Sequence, residues 1–385
     1  MIIPDHAAPT GKYFDHIVII AMENQDYSSV IGNSAAPFIN SLAALGSTMS
    51  SYHSYGAGAF SGDTIGGCSA ACYVAFMGGD TYSVSDGYGC CLSGQTFVDQ
   101  MQASGLTWQA YCESGCPRGP DHFPFIAFSA DVNSPNVFAS SSVSTSDLVS
   151  AANSGSPPNF LWYTPTDSHN MHDNSVSTGD SYLQQFLVGS GTVQNPASGS
   201  LLASNVFKNS GFHTMLYLWW DEYDPSPNVE YGSMVKTGYT STTSYDEYSS
   251  LRTLEDNWGL SHLANAASAV GLTDLLTTGG GSQPVQTTAA VINSGIYPTR
   301  DWLTQKHTYS STGVPSSGTL VEIKNAVLSN VANGAASGDC NDSSDTPTPP
   351  SGTWCDSIAD ASDGTGTVHV EIDQVYKYLG IAPTD

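Results

Sequence analysis

"FLWYTPTDSHNMHDNSVSTGD", residues 160–180, carries a structural signal and a chemical one side by side. Phe160-Leu161-Trp162-Tyr163 is a short, aromatic-rich apolar run bounded by proline, which predicts a buried strand. Asp167, His169, His172 and Asp173 then crowd into seven residues. Carboxylates and imidazoles at the carboxyl end of a buried strand are what a metal ion or a phosphoryl group binds. The plainer reading is a solvated polar loop that caps a helix starting near Thr178. The stretch alone does not choose between the two.

Two other runs repeat the pattern. Phe14 to Met22, "FDHIVIIAM", is a β-branched strand that ends in Glu23-Asn24. Phe212 to Trp220, "FHTMLYLWW", ends in Asp221-Glu222. Helices are expected at Pro37–Leu45, Ala70–Met77, Gln95–Ala103, Asp180–Val188 and Leu201–Lys208. Another lies in "YDEYSSLRTLEDNWGL", stopped by Gly259. A strand over Thr107–Tyr111 leads into Cys112-Glu113. Alternating strands and helices predict an α/β fold: a mostly parallel central sheet with helices on both faces. Ser69 stands at the N-cap of the 70–77 helix. It is either a plain cap or a nucleophile at a helix N-terminus, where backbone N–H groups and the dipole favour phosphate. Glu23-Asn24, Ser69, Asp167–Asp173 and Asp221-Glu222 meet only if their strands are neighbours in the sheet.

Composition narrows the partners. The chain has 385 residues, with 9 Lys+Arg against 35 Asp+Glu and a net charge of -26. So few bases disfavour nucleic acid and anionic membranes. A surface poor in ion pairs suits an acidic exterior, with halophilic adaptation as the rival account. No run approaches the ~18 apolar residues of a membrane span. The opening "MIIPDHAAPTGKYF" is too polar for a secretory leader, so either a leader has been removed or there was none. Eight cysteines (Cys68, Cys72, Cys90, Cys91, Cys112, Cys116, Cys340 and Cys355) point to disulfides and an oxidising compartment rather than zinc. Cross-pairing of Cys68 and Cys72 with the 90/91 or 112/116 groups is expected. The division predicted is an α/β domain over 1–278 and a C-terminal extension over 279–385, packed on it or continuous with it. The extension includes a Pro/Ser/Thr-rich loop near 335–365 and a last strand or helix over Val368–Leu379.

Taken in order, these motifs resemble the phosphoesterase family of acid phosphatases and phospholipases C, within the alkaline-phosphatase-like superfamily. The resemblance spans about Phe14 to Leu260. It is carried by "FDHIVIIAMENQDYSSVIG", "APFINSLAALG", "CYVAFMGGDTYSVSDG", "TFVDQMQASGLTWQAYCES", "HFPFIAF", "DSHNMHDNSVSTGDSYL", "LWWDEYD" and "YSSLRTLEDNWGL". It implies that Glu23, Asn24, Asp221 and Glu222 hold a divalent metal and that Ser69 is a nucleophile forming a phosphoserine. It also implies that His122, His169 and His172 serve catalysis, and that Asp167, Asp173, Glu113 and Glu247 support phosphate or metal. Two positions depart from the family pattern: Cys72 replaces an asparagine and Glu247 replaces a histidine. Both are expected to face the 167–173 stretch across the pocket.

The function implied is an extracellular, metal-dependent phosphoric ester hydrolase, a phosphomonoesterase or phospholipase C. It would act on a small phosphate ester or a phospholipid head group, with a low pH optimum and possible self-association at the cell exterior. The alternative is a catalytically lapsed fold serving as an extracellular structural or surface protein.

Overall fold

A computed structural model describes residues 11–54 and 69–277. Cys68, Cys340, Cys355 and everything predicted for 279–385 lie outside the described residues. The run that opens the first strand, β1 (His16–Met22), is buried at all seven positions. Next in the chain come α1 (Tyr27–Val30), α2 (Pro37–Leu45), β2 (Ser47–Met49), α3 (Ser69–Gly78), α4 (Phe97–Ala103), β3 (Trp108–Cys112) and β4 (Val137–Phe138). Then follow α5 (Thr145–Ala152), β5 (Phe160–Thr164), α6 (Val176–Leu187), α7 (Asn205–Lys208), β6 (Thr214–Trp220), β7 (Val229–Gly232), β8 (Tyr239–Ser241) and α8 (Glu247–Trp258).

The strands form one eight-stranded sheet in the order β4-β3-β5-β1-β6-β7-β2-β8. From β4 to β6 every neighbour pair is parallel. β7 runs antiparallel to both β6 and β2, and β8 rejoins β2 in parallel. The expected α/β fold with a mostly parallel sheet is what the chain adopts.

Both faces of the sheet are covered, which is why β1 needs no polar alternation. Ile17, Ile19 and Ala21 point into a core shared with α3, α4 and α8. Val18, Ile20 and Met22 point into a second core with α2, α5 and α6. Aromatic side chains fill the first core: Trp162, Trp219, Phe76 and Tyr73 meet edge-on or tilted at centroid distances of 4.8 to 6.1 Å.

The register decides the site. β1 pairs with β5 through Ile20 and Tyr163, and with β6 through Met22 and Trp220. The three acid-ended strands are therefore adjacent and parallel, and their carboxyl ends open on one edge. The Met22 carbonyl accepts the Asp221 N–H at 3.3 Å, and the Asn170 carbonyl accepts the Glu23 N–H at 2.9 Å. Four strands that end here are each followed by a non-glycine residue in the left-handed region: Asn24, Ser114, Met171 and Tyr223. Such strained positions gather at functional sites.

Helix ends match local chemistry. Thr96 and Asp99 form a reciprocal capping box on α4. Ser175 caps α6, so that helix begins earlier than Asp180. Asp180, in the opening stretch, accepts the N–H groups of Phe38 and Ile39 at 3.2 and 2.8 Å and so caps α2 from another element.

One predicted helix, Leu201–Lys208, is broken. It splits into a 3-10 turn over Leu201–Ala203 and α7, with Ser204 extended between them. The Ser204 hydroxyl donates to the Leu201 carbonyl at 2.6 Å, an alternative to continuing the helix.

The expected cross-pairing of cysteines is also corrected. Cys90 is joined to Cys91 and Cys112 to Cys116. After β3 the chain turns back through left-handed Ser114 and Cys116, leaving the Cys112 and Cys116 Cα atoms 5.0 Å apart, well within disulfide range. Cys72 is disulfide-bonded too, to a partner outside the described residues.

Candidate active site

The three central strand ends deliver buried acids. Glu23 and Asp221 are wholly inaccessible and Glu222 nearly so. Ser69 begins α3, and its hydroxyl donates to Glu222 Oε1 at 2.7 Å. The Ser69 backbone N–H donates to the same oxygen at 3.1 Å. Glu222 therefore orients the serine from two directions.

Glu23 sits at the centre of a second set of contacts. Its Oε1 accepts the Tyr73 hydroxyl at 2.6 Å and lies 3.3 Å from His122 Nδ1. Tyr73 stands one helical turn beyond Ser69 and stacks flat on His122, centroids 5.7 Å apart. His122 Nδ1 also lies 3.5 Å from Asp167 Oδ1. The contacts thus run from α3 through Tyr73, Glu23 and His122 to the 167–173 loop.

Electrostatics single out the acids. Burial, and then the neighbouring Asp221, push the Glu23 carboxyl well above the usual carboxylate range, with the Tyr73 hydroxyl opposing in part. Burial, and then Glu222, push Asp221 up in the same way. Glu23 Oε2 and Asn24 Oδ1 are buried with no hydrogen-bond partner among the described residues. Crowded, desolvated carboxylates beside orphaned oxygens form an all-oxygen donor set that fits a hard divalent cation.

The 167–173 loop is organised differently. Burial would raise Asp167, but His122, His172 and Arg118 hold its carboxyl below the ordinary value. Arg118 Nε lies 3.6 Å from Asp167 Oδ2, and Arg118 Nη2 lies 3.1 Å from His172 Nε2. Arginine only donates, so His172 Nε2 accepts and Nδ1 carries the proton toward Asp173 Oδ1, 2.6 Å away. Asp167, His172 and Asp173 bring ligand atoms within 4.8 Å of one another, close enough for a metal. The Arg118 guanidinium already compensates them, whereas a cation there would face its like charge.

The remaining sequence-derived residues fall as follows. His169 Nδ1 pairs with Glu113 Oε2 at 2.8 Å and its ring stacks on Tyr182 at 4.3 Å. The same Glu113 oxygen accepts the Thr166 N–H at 2.8 Å, so Glu113 pins the loop as well as the imidazole. None of the His169 hydrogen bonds among the described residues reaches Ser69 or Glu23. Cys72 is buried in the aromatic core, and its sulfur is committed to a disulfide rather than available to phosphate. Glu247 opens α8, wholly buried, within electrostatic reach of Tyr52 and Tyr217.

Three residues were not anticipated. Tyr73 had a signal in its four-residue spacing from Ser69, which puts both on one helical face. Asn170, fully buried, binds the Glu23 and His172 N–H groups through its backbone and side-chain oxygens. Arg118 had only its rarity to mark it in a chain with 9 basic residues.

No family model matches the chain. Over 288 residues it is 31% identical to the phosphatidylinositol-3-phosphatase of Mycobacterium tuberculosis, covering 70% of this chain and 85% of that protein. Over 286 residues it is 23% identical to a probable acid phosphatase of Kluyveromyces lactis. That match covers 66% of this chain and 60% of the yeast protein. Among solved structures, an alkaline phosphatase superfamily protein from Vibrio parahaemolyticus superposes with a TM-score of 0.41 at 14% identity, covering 70% of this chain and 73% of that one.

Proposed function

The chain belongs to the phosphoesterase family of acid phosphatases and phospholipases C, within the alkaline-phosphatase-like superfamily, and on that premise we propose that it hydrolyses phosphoric esters through Ser69. The observation that carries this reading is the 2.7 Å hydrogen bond from the Ser69 hydroxyl to Glu222, at the N-terminus of a buried helix.

Ser69 Oγ attacks phosphorus as its proton passes to Glu222, and the ester oxygen departs with a proton, leaving a phosphoserine. Glu222 holds the Ser69 hydroxyl so that an oxygen lone pair faces the substrate, and the positive end of the α3 dipole favours charge on the phosphoryl oxygens. His122 is the proton donor that best suits the leaving oxygen. Its Nδ1 lies against the Glu23 and Asp167 carboxylates, its Nε2 is buried without a hydrogen-bond partner among the described residues, and Tyr73 fixes its plane. His172, whose Nε2 accepts from Arg118, serves instead to hold the loop. Water then attacks phosphorus from the side opposite Ser69, giving its proton to His122, and the serine oxygen leaves with the proton that Glu222 held.

Glu23, Asn24, Asp221 and Glu222 are the residues that would hold a divalent cation. When bound, it would lower the serine pKa and polarise the phosphoryl group. Burial of these carboxylates, with Glu23 Oε2 and Asn24 Oδ1 lacking a hydrogen-bond partner among the described residues, favours that assignment.

An oxidising, extracellular setting suits the Cys90–Cys91 and Cys112–Cys116 pairs and the absence of free cysteines among the described residues. No helix among the described residues is long and apolar enough to cross a membrane. Cys72, committed to a disulfide where the family has an asparagine, favours the second reading, a lapsed enzyme.

Turnover of p-nitrophenyl phosphate decides between them. The expected result is hydrolysis that chelator abolishes and a divalent metal restores, with Ser69→Ala at least about a thousand-fold slower. Wild-type protein inactive with every metal tried, or Ser69→Ala as active as wild type, rejects the proposal.

A further inference from the structure

The described residues hold five basic side chains: Lys12, Arg118, Lys208, Lys236 and Arg252. Four have evident local settings. Lys12 and Lys236 lie over the rings of Tyr13 and Tyr239. Arg252 is bound by Asp256 and by the carbonyls of Ala266 and Ala267. Lys208 ends α7. Arg118 lines a pocket, shared with Cys116, His122, Thr164, Thr166 and Asp167.

The cavity there is about 10 Å³, room for one water-sized group such as a single oxygen of an oxyanion. One wall is His122, nearly inaccessible, with its Nε2 lacking a hydrogen-bond partner among the described residues. Opposite it the guanidinium is aimed by Asp167 through Nε and by His172 through Nη2.

The backbone that presents Arg118 is closed by the Cys112–Cys116 disulfide, two residues upstream. The Gly119 N–H donates to the Cys116 carbonyl at 2.9 Å, completing the turn around Arg118. The same disulfide-closed turn carries Glu113, which pins His169 and Thr166.

Resting on the phosphoesterase reading, we infer that Arg118 is an oxyanion-binding residue of this pocket, presented by the disulfide-closed turn. A planar guanidinium held at two of its nitrogens loses little entropy in binding a tetrahedral oxyanion and matches its edge with paired donors. The oxyanion is either the phosphoryl group that reacts at Ser69 or a second anionic group on the leaving portion of the substrate.

The test is calorimetric titration of the full chain with inorganic phosphate, with KM and kcat measured on p-nitrophenyl phosphate and on a sugar bisphosphate. Arg118→Ala is expected to weaken the relevant binding by roughly ten- to a hundred-fold, the effect of losing hydrogen bonds to a charged group. KM should rise more than kcat falls. Arg118→Lys should recover part of the loss, because the charge stays and the fork does not.

If phosphate affinity and KM for p-nitrophenyl phosphate both weaken, the oxyanion is the reacting phosphoryl group. If only KM for the bisphosphate rises, it is a second anionic group. Wild-type affinity and unchanged KM on both substrates in Arg118→Ala overturn the inference. If Ser69→Ala is inactive in that same case, the phosphoesterase reading survives without it. A wild-type protein that neither binds phosphate nor turns over either ester overturns both.

Discussion

Tyr73 joins the two halves of the site: its hydroxyl donates to Glu23 at 2.6 Å and its ring carries His122. That hydrogen bond favours the ionised form of Glu23, the form a cation needs. Tyr73→Phe removes it while keeping the ring. Metal affinity, read by activity against free cation in chelator buffers, is expected to fall about ten- to a hundred-fold, as for other residues that support metal ligands. Unchanged cation dependence would show that Glu23 is not a ligand. Sequence position made the acids legible, since Glu23, Asp221 and Glu222 each follow a strand that could only be buried. It could not make Arg118 or the orientation of His172 legible. Those follow from a contact between residues 54 apart in the chain, decided by how two loops pack.

At the scale of elements, β1, β5 and β6 were readable because a strand covered on both faces is written as an unbroken apolar run. β2, β4, β7 and β8 were not. They have two to four residues each, and pairing rather than composition makes them strands. The order of the sheet was also unreadable, and it is what turns three separate acidic ends into one site. The helix α8, which packs beside the Ser69 helix, was readable to its last residue because Gly259 follows it at φ 64. Gly259→Ala meets open space, so only backbone conformation opposes it. The variant is expected to lose about 1 kcal/mol of stability, measured by denaturant unfolding. Wild-type stability would mean that the helix end rearranges.

For the whole molecule, acidity shapes stability as well as solubility. Burial pushes the carboxyls of Glu230 and Glu255 up to about 8, and burial with Asp99 pushes Asp131 up to about 7. The folded chain therefore keeps protons that the unfolded chain has lost anywhere between the ordinary carboxylate range and pH 7 to 8. Stability from these groups is present in mild acid and is lost as pH rises through their folded values. The melting temperature is expected to be higher at pH 5 than at pH 8, with Glu230→Gln flattening the difference. A melting temperature that rises with pH over that range would contradict these assignments. Such a profile fits the base-poor composition and an acidic working environment. The central claim is that Ser69 carries the phosphoryl group, and acid-quenching the enzyme during turnover of a phosphate ester tests it most directly. Peptide mass mapping should find one phosphoryl group on Ser69 and none in Ser69→Ala; a wild-type enzyme that turns over substrate while labelled at another residue, or at none, would contradict it.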